Sequence, residues 1–140
     1  MEEPLTEELL NELLNSDSPE QFLERNQTGT RVLADYLQEL LDARNLERVD
    51  VVHAAHLNDT YGYELFTGKK KRPSRNIALQ LAFAMGLSLR ETDRLLQAAG
   101  ASRLYCKNTR DAIIIFCLDR HATLEEVNEV LYARKEATLG

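Results

Sequence analysis

LERVDVVHAAHLNDTYGYELFTGKKKRPS, residues 46–74, is the stretch of this chain that decides its fold. Val49, Val52 and Ala55 recur within its first half at helical spacing. This spacing predicts a short amphipathic helix from Glu47 to His56.

A second short helix follows in the same stretch. Asn58 or Asp59 can cap it, because short oxygen-bearing side chains accept hydrogen bonds from the free N–H groups of a first turn. Gly68 is placed to end the helix after Thr67. The region is therefore predicted to be helix, tight turn and helix.

A basic loop comes next, because five of the seven residues Lys69–Arg75 are basic and Pro73 disfavours helix at Arg72. Ser74 then caps a helix. This loop is the most concentrated charge in the chain.

The flanking sequence is helical as well. A helix capped by Thr30 is expected to last to about Asn45. Ser88 and Thr123 each begin a capping box, in which a Ser or Thr side chain and a Glu three residues later satisfy each other's N–H groups. The further helices are expected from Arg75 to Met85 and from Ser88 to Gly100, and two more are expected in the C-terminal hairpin. The fold class is therefore all-α.

The C-terminal half contains a repeat. A shift of 35 residues lays residues 74–104 over 109–139 without a gap, which indicates a duplicated helical hairpin. The other interpretation is that two unrelated helical hairpins share these residues by coincidence. The predicted organisation has three parts: an acidic helical segment at 1–29, a core at 30–104, and a C-terminal hairpin at 105–140 packed on that core.

Charge divides the chain unevenly. Residues 1–25 carry eight carboxylates against Arg25 alone, so the net charge of −6 belongs to the N-terminus. The remainder is close to neutral, which leaves nucleic acid open as a partner. No run approaches the ~20 apolar residues of a membrane span, and the acidic N-terminus differs from a basic secretion signal. A cytoplasmic location without a membrane partner is expected.

The stretch 46–74 resembles the helix-turn-helix of the phage-repressor type, the Cro and C1-like or Xre-like family. In that family a helix with paired apolar residues precedes a tight turn, a recognition helix, a glycine, a basic loop and Pro-Ser. Val51-Val52 and the ending GKKKRPS fit this pattern. The resemblance covers about residues 31–100 and implies a lambda-repressor-like core.

The resemblance implies double-stranded DNA as partner and a role in transcription regulation, directly or as an accessory. The second helix would lie in the major groove while the neighbouring loops hold phosphates. Phosphate contacts are expected from Arg48, Lys69, Lys70, Lys71, Arg72 and Arg75. Base contacts are expected from Asn58, Asp59, Thr60, Tyr61, Tyr63 and Glu64.

Three residues depart from the family pattern. Asp59 and Glu64 repel phosphate, and Gly62 stands where the family has an aliphatic residue, which is expected to loosen the packing. These departures favour an alternative, a protein-interaction adaptor that uses Tyr61 and Tyr63 as anchors. The other interpretation of the two tyrosines is that one packs and one is exposed.

No catalytic motif is present, so no enzyme activity is expected, and no cofactor. His53 and His56 share a helical face but lack a third ligand nearby, so no metal site is expected either. Cys117 reads as a buried thiol.

The run AIIIFCL, residues 112–118, is apolar on every side of its helix. Either the C-terminal half buries it completely or a second copy of the chain covers it. A homodimer would suit a DNA-binding module, which gains specificity from paired half-sites.

Overall fold

The computed structural model describes residues 32–140. This part of the chain contains seven α-helices and no strand, which confirms the all-α class. The helices are α1 Leu33–Arg44, α2 Arg48–Ala54, α3 Asp59–Phe66, α4 Arg75–Met85, α5 Leu89–Ala98, α6 Thr109–Asp119 and α7 Leu124–Ala133. The acidic segment expected at 1–29 lies outside the described residues.

Local capping signals set most of the helix ends. Asn58 caps α3, Ser74 caps α4, and both expected capping boxes form, at Ser88 and at Thr123. The first helix differs from expectation. Its N-cap is Val32, which makes no side-chain cap bond, and Thr30 lies outside the described residues.

One hydrophobic core joins all seven helices. Helix α1 packs on α3, α4 and α5, while α2 packs on α3 and α4. A hydrogen bond from Tyr36 Oη to the Glu91 carbonyl and an ion pair between Arg44 and the Glu91 carboxylate fix α1 along the first turn of α5. None of the helices described is long and apolar enough to span a bilayer.

Gly62 is buried where α3 meets α2. A Cβ added to it would stand 2.6 Å from Cγ1 of Val52 and closer still to Cγ2. The expectation that Gly62 loosens the packing is therefore wrong. The missing side chain allows the two helices to approach, and a β-branched valine on the facing helix has little rotamer freedom with which to yield.

We expect Gly62→Ala to lower the free energy of unfolding by about 1 to 2 kcal/mol, because overpacking outweighs the better helix propensity of alanine. Urea unfolding followed by circular dichroism measures the change. The matched control is the same substitution in a Val52→Ala background, where the clash is gone and Gly62→Ala should be neutral or stabilising. Stabilisation of the wild-type background by Gly62→Ala would contradict this account of the helix contact.

The hairpins α4–α5 and α6–α7 repeat the same contacts 35 residues apart. In the first, Arg75 donates to the carbonyls of Ser102 and Arg103. In the second, Arg110 donates to the carbonyls of Ala137 and Thr138.

The segment after each hairpin is also held at equivalent positions. The Leu104 N–H donates to Asp93 at 3.0 Å, and the Leu139 N–H donates to Asn128 at 2.6 Å. Such detailed recurrence is what a 35-residue repeat predicts.

The contact between the two hairpins is reciprocal. Arg75 makes a bidentate ion pair with Asp111, at 2.9 and 2.8 Å, while Arg110 donates to Asn76 Oδ1 at 3.0 Å. Asn76 and Asp111 are themselves 35 residues apart, and each directly follows an arginine of the repeat. The arginine of each hairpin therefore bonds to the residue that follows the arginine of the other hairpin. The two hairpins therefore face each other like the halves of a two-fold pair.

Asp111 is the electrostatic centre of this contact. Burial by itself would raise its carboxyl pKa, but the hydrogen bonds from Arg75 and from the Tyr105 N–H outweigh burial and lower the pKa. A lowered folded-state pKa means that the carboxylate stabilises the fold above the unfolded value, about 3.9, and loses that effect as the pH falls through the folded value.

We expect Asp111→Asn to lower the free energy of unfolding at pH 7 by about 2 to 4 kcal/mol, because it leaves the arginine half-paired. In urea titrations the difference from wild type should shrink as the pH falls below about 4. Asn76→Asp, which gives Arg110 the equivalent carboxylate, is the matched variant and should stabilise the fold at pH 7. Equal costs for Asp111→Asn at pH 7 and in strong acid would refute the ion-pair argument.

Candidate nucleic-acid interface

Two contacts, one with α4 and one with α7, hold the turn between α2 and α3. The buried Gln80 amide donates to the Ala55 carbonyl at 2.8 Å. His56 then takes a left-handed conformation, with φ of 60°, and its Nε2 lies 2.9 Å from Oε1 of Glu125 on α7. The turn is thus fixed to α4 on one side and to the start of α7 on the other.

The solvent-facing side of α3 begins at its first turn. Asp59, Thr60 and Tyr63 are exposed, and Tyr63 keeps 53% of its surface accessible. The Arg48 guanidinium lies 5.0 Å from the centre of the Tyr63 ring, a cation–π distance. Arg48 is the first residue of α2, so this contact brings the start of α2 beside the exposed side of α3.

The acidic residues of α3 each lie beside a basic or titratable group. Asp59 Oδ1 is 2.8 Å from Nε2 of His53, and Glu64 Oε2 is 3.8 Å from Nζ of Lys69. The Glu64 side chain is only 19% exposed, so it lies at the base of the helix rather than on its outer side. The carboxylate with the greater access to a ligand is Asp59.

The basic loop leaves α3 through Gly68, whose φ of 85° favours glycine. The Lys70 N–H donates to the Glu64 carbonyl, which ties the loop back to the helix. Pro73 is buried, whereas the side chains of Lys69 to Arg72 are exposed. The Arg72 guanidinium lies against Gly100, 3.3 Å from the position that a Cβ there would occupy. Three lysines and one arginine therefore follow the exposed side of α3 directly.

Three of the residues expected to contact DNA make contacts within the protein instead. The Asn58 side chain accepts the Tyr61 N–H at 2.7 Å as the cap of α3. Tyr61 packs against the core, and burial followed by the nearby Glu64 raises its pKa. Arg75 is committed to Asp111 and two backbone carbonyls. The expectation that one tyrosine packs and one is exposed is confirmed, with Tyr63 the exposed one.

Sequence reasoning missed the residues that position this surface. Gln80 and Glu125 hold the turn between α2 and α3 but lie outside residues 46–74, and no spacing rule connects them with that stretch. A polar Gln80 within the otherwise apolar IALQLAFAM was the available signal, because a buried amide needs a hydrogen-bond partner.

The described residues contain no cluster of three metal-ligating side chains. Cys117 is buried, as expected, and burial raises the pKa of its thiol. Cys106 is exposed.

Comparison of the chain with protein-family models, with curated proteins and with solved structures finds no match.

Proposed function

We propose that this protein binds double-stranded DNA as a helix-turn-helix protein of lambda-repressor-like architecture, in the class of transcriptional regulators or their accessories. The observation that carries the proposal is the continuity of one surface. Arg48, the exposed side of α3 and the loop Lys69–Arg72 adjoin one another. We call this surface the α3 face.

The helix arrangement supports the proposal. Two short helices joined by residues 55–58 have the lengths and spacing of a helix-turn-helix. Helix α4 packs on α2 and helix α1 packs on α3, so both are supported by longer helices. In such folds the second helix enters the major groove while the start of the first helix and the adjoining loops contact the phosphates. Arg48 and the basic loop occupy those phosphate-contacting positions.

Exposure and chemistry separate the residues that contact phosphates from those that contact bases. Lys69, Lys70, Lys71 and Arg72 supply charge that displaces counterions and holds the backbone without reading sequence. Thr60 and Tyr63 are the exposed groups of α3 that can hydrogen-bond to base edges. Because the carboxylate of Asp59 cannot donate a hydrogen bond, a cytosine amine is its favourable base partner.

The adaptor alternative rests on the exposure of Tyr63 and Val49, at 53% and 50%. A partly apolar surface of this kind suits a protein partner. Random duplex DNA distinguishes the two functions, because an adaptor has no need of salt-dependent affinity for a polyanion.

We expect replacement of Lys69, Lys70, Lys71 and Arg72 by alanine to weaken binding to random duplex DNA. The slope of log affinity against log salt should fall by ~3 to 4 in fluorescence anisotropy. A matched variant removes four other exposed charges, at Arg90, Arg103, Arg134 and Lys135, and should keep most of the wild-type slope. An equal loss of salt slope in the two variants would mean that DNA affinity depends only on the total charge of the protein. Absence of binding by the wild type at low salt would overturn the proposal.

The Asp59 carboxylate gives a prediction of opposite sign. Asp59→Asn removes a charge that repels phosphate while it leaves the helix cap at Asn58 intact, so affinity for random duplex DNA at low salt should rise severalfold. The same anisotropy assay measures this change. Glu129→Gln, at an exposed carboxylate on α7, serves as control and should have little effect. Unchanged or weaker binding by Asp59→Asn would show that DNA does not approach the first turn of α3.

A further inference from the structure

An apolar groove of about 570 Å³ lies between the start of α5 and the outer side of α6. Leu89 contributes from α5, and Ala112, Ile115 and Phe116 contribute from α6. Phe116 is 57% exposed and Leu89 is 40% exposed, so the expected complete burial of residues 112–118 is wrong. We call this the α5/α6 groove.

The corresponding groove in the other half of the repeat is filled by another part of the chain. A shift of 35 residues converts the α5/α6 groove into the groove between α7 and α4. Phe116 corresponds to Leu81, which is fully buried, and Leu89 corresponds to Leu124, which is 2% exposed. The same positions are therefore covered in one half of the repeat and open in the other.

The occupant of the α4/α7 groove is the turn that follows α2. Its Ala55 carbonyl accepts from Gln80, the counterpart of Ile115, and its His56 contacts Glu125 at the start of α7. A helix with its following turn thus fits this groove shape. Within residues 32–140, α6 packs mainly on α5 and α7, and none of these residues closes the second groove.

We propose that the α5/α6 groove is the interface of a homodimer, in which α6 of one copy packs antiparallel against α6 of a second. Phe116 forms part of the groove wall and more than half of its surface is exposed, so in this pairing each Phe116 packs into the groove of the other copy. Because each copy supplies both the projecting Phe116 and the groove that receives it, two copies use up both halves of the contact. The association therefore stops at the dimer and does not continue into a fibre.

The charges around α6 favour this pairing. Lys107 lies just before the N-cap residue Asn108, Asp119 is the last residue of the helix, and the side chains of Lys107 and Asp119 are exposed. An antiparallel pairing brings the start of one α6 near the end of the other. Each Lys107 therefore comes near the Asp119 of the second copy, giving two symmetric ion pairs around an apolar centre, as is usual for protein interfaces. Arg120 lies over its own Phe116 ring at 4.4 Å and moves with it.

Sedimentation of the full chain, from low to high micromolar concentration and without DNA, tests the proposal. The wild type should approach twice the 16.0 kDa of one chain. Phe116→Glu should remain a monomer throughout. Because Phe116 is exposed in the single chain, its replacement should leave the thermal midpoint nearly unchanged at the lowest concentration, where the wild type is also a monomer. Tyr132→Glu, at an exposed aromatic on α7, is the matched control and should dimerise as the wild type does.

Charge reversal tests the geometry of the pairing. Lys107→Glu and Asp119→Lys should each weaken dimerisation, and the two together should restore it. The rate at which a thiol reagent modifies Cys106, which lines the groove, should fall as the protein concentration rises. A wild type that stays monomeric at high concentration overturns the proposal, as does a dimer that Phe116→Glu leaves intact.

DNA binding and dimerisation can fail separately. Phe116→Glu should keep salt-dependent binding to random duplex DNA, because the α3 face is unchanged. The basic-loop variant should lose DNA binding while it still dimerises. If the dimer is absent but DNA binding persists, only the inference about the groove is lost.

Discussion

The hydrogen bond from the Gln80 amide to the Ala55 carbonyl determines where the α2–α3 turn lies, and the α3 face depends on it. Both partners are buried, and a buried polar group without its partner costs about 1 to 3 kcal/mol, so the turn has one favourable position on α4. Gly62 then allows α3 to press against Val52. The direction of α3, and the point at which the basic loop leaves it, follow from these two contacts.

The helices were predictable because their signals are local. The caps at Asn58, Ser74, Ser88 and Thr123 act within one turn, and the sequence at each cap contains everything needed to recognise it. The 35-residue register was visible for the same reason. It depends on matching residues along the chain and not on contacts in space.

The site was less predictable, because its residues act across the fold. Arg75 lies in a basic cluster, but its partner Asp111 is 36 residues away, and only the packed hairpins bring the two together. Gly62 seemed a weakness by helix propensity and became a requirement once Val52 faced it. Tyr61 and Tyr63 were correctly expected to differ in exposure, yet their spacing alone does not say which one faces solvent.

The two hairpins explain how one fold supports two different surfaces. Their reciprocal contact, Arg75 to Asp111 and Arg110 to Asn76, places two similar grooves on the α4–α7 unit. In one groove the Gln80 side chain holds the turn between α2 and α3. In the other, Ile115 at the same position offers no hydrogen bond, and Phe116 beside it enlarges the apolar surface. A polar residue thus selects an internal partner, and an apolar one favours a second chain.

A nuclear magnetic resonance titration of the full chain with a short random duplex shows directly whether DNA binds to the α3 face. Backbone amide shifts locate the contact residue by residue. We expect the largest shift changes at the start of α2, on α3 around Thr60 and Tyr63, and on Lys69–Arg72. The amides of α7 should change little. Changes concentrated on α6 and α7, or none at low salt, would contradict DNA binding by the α3 face.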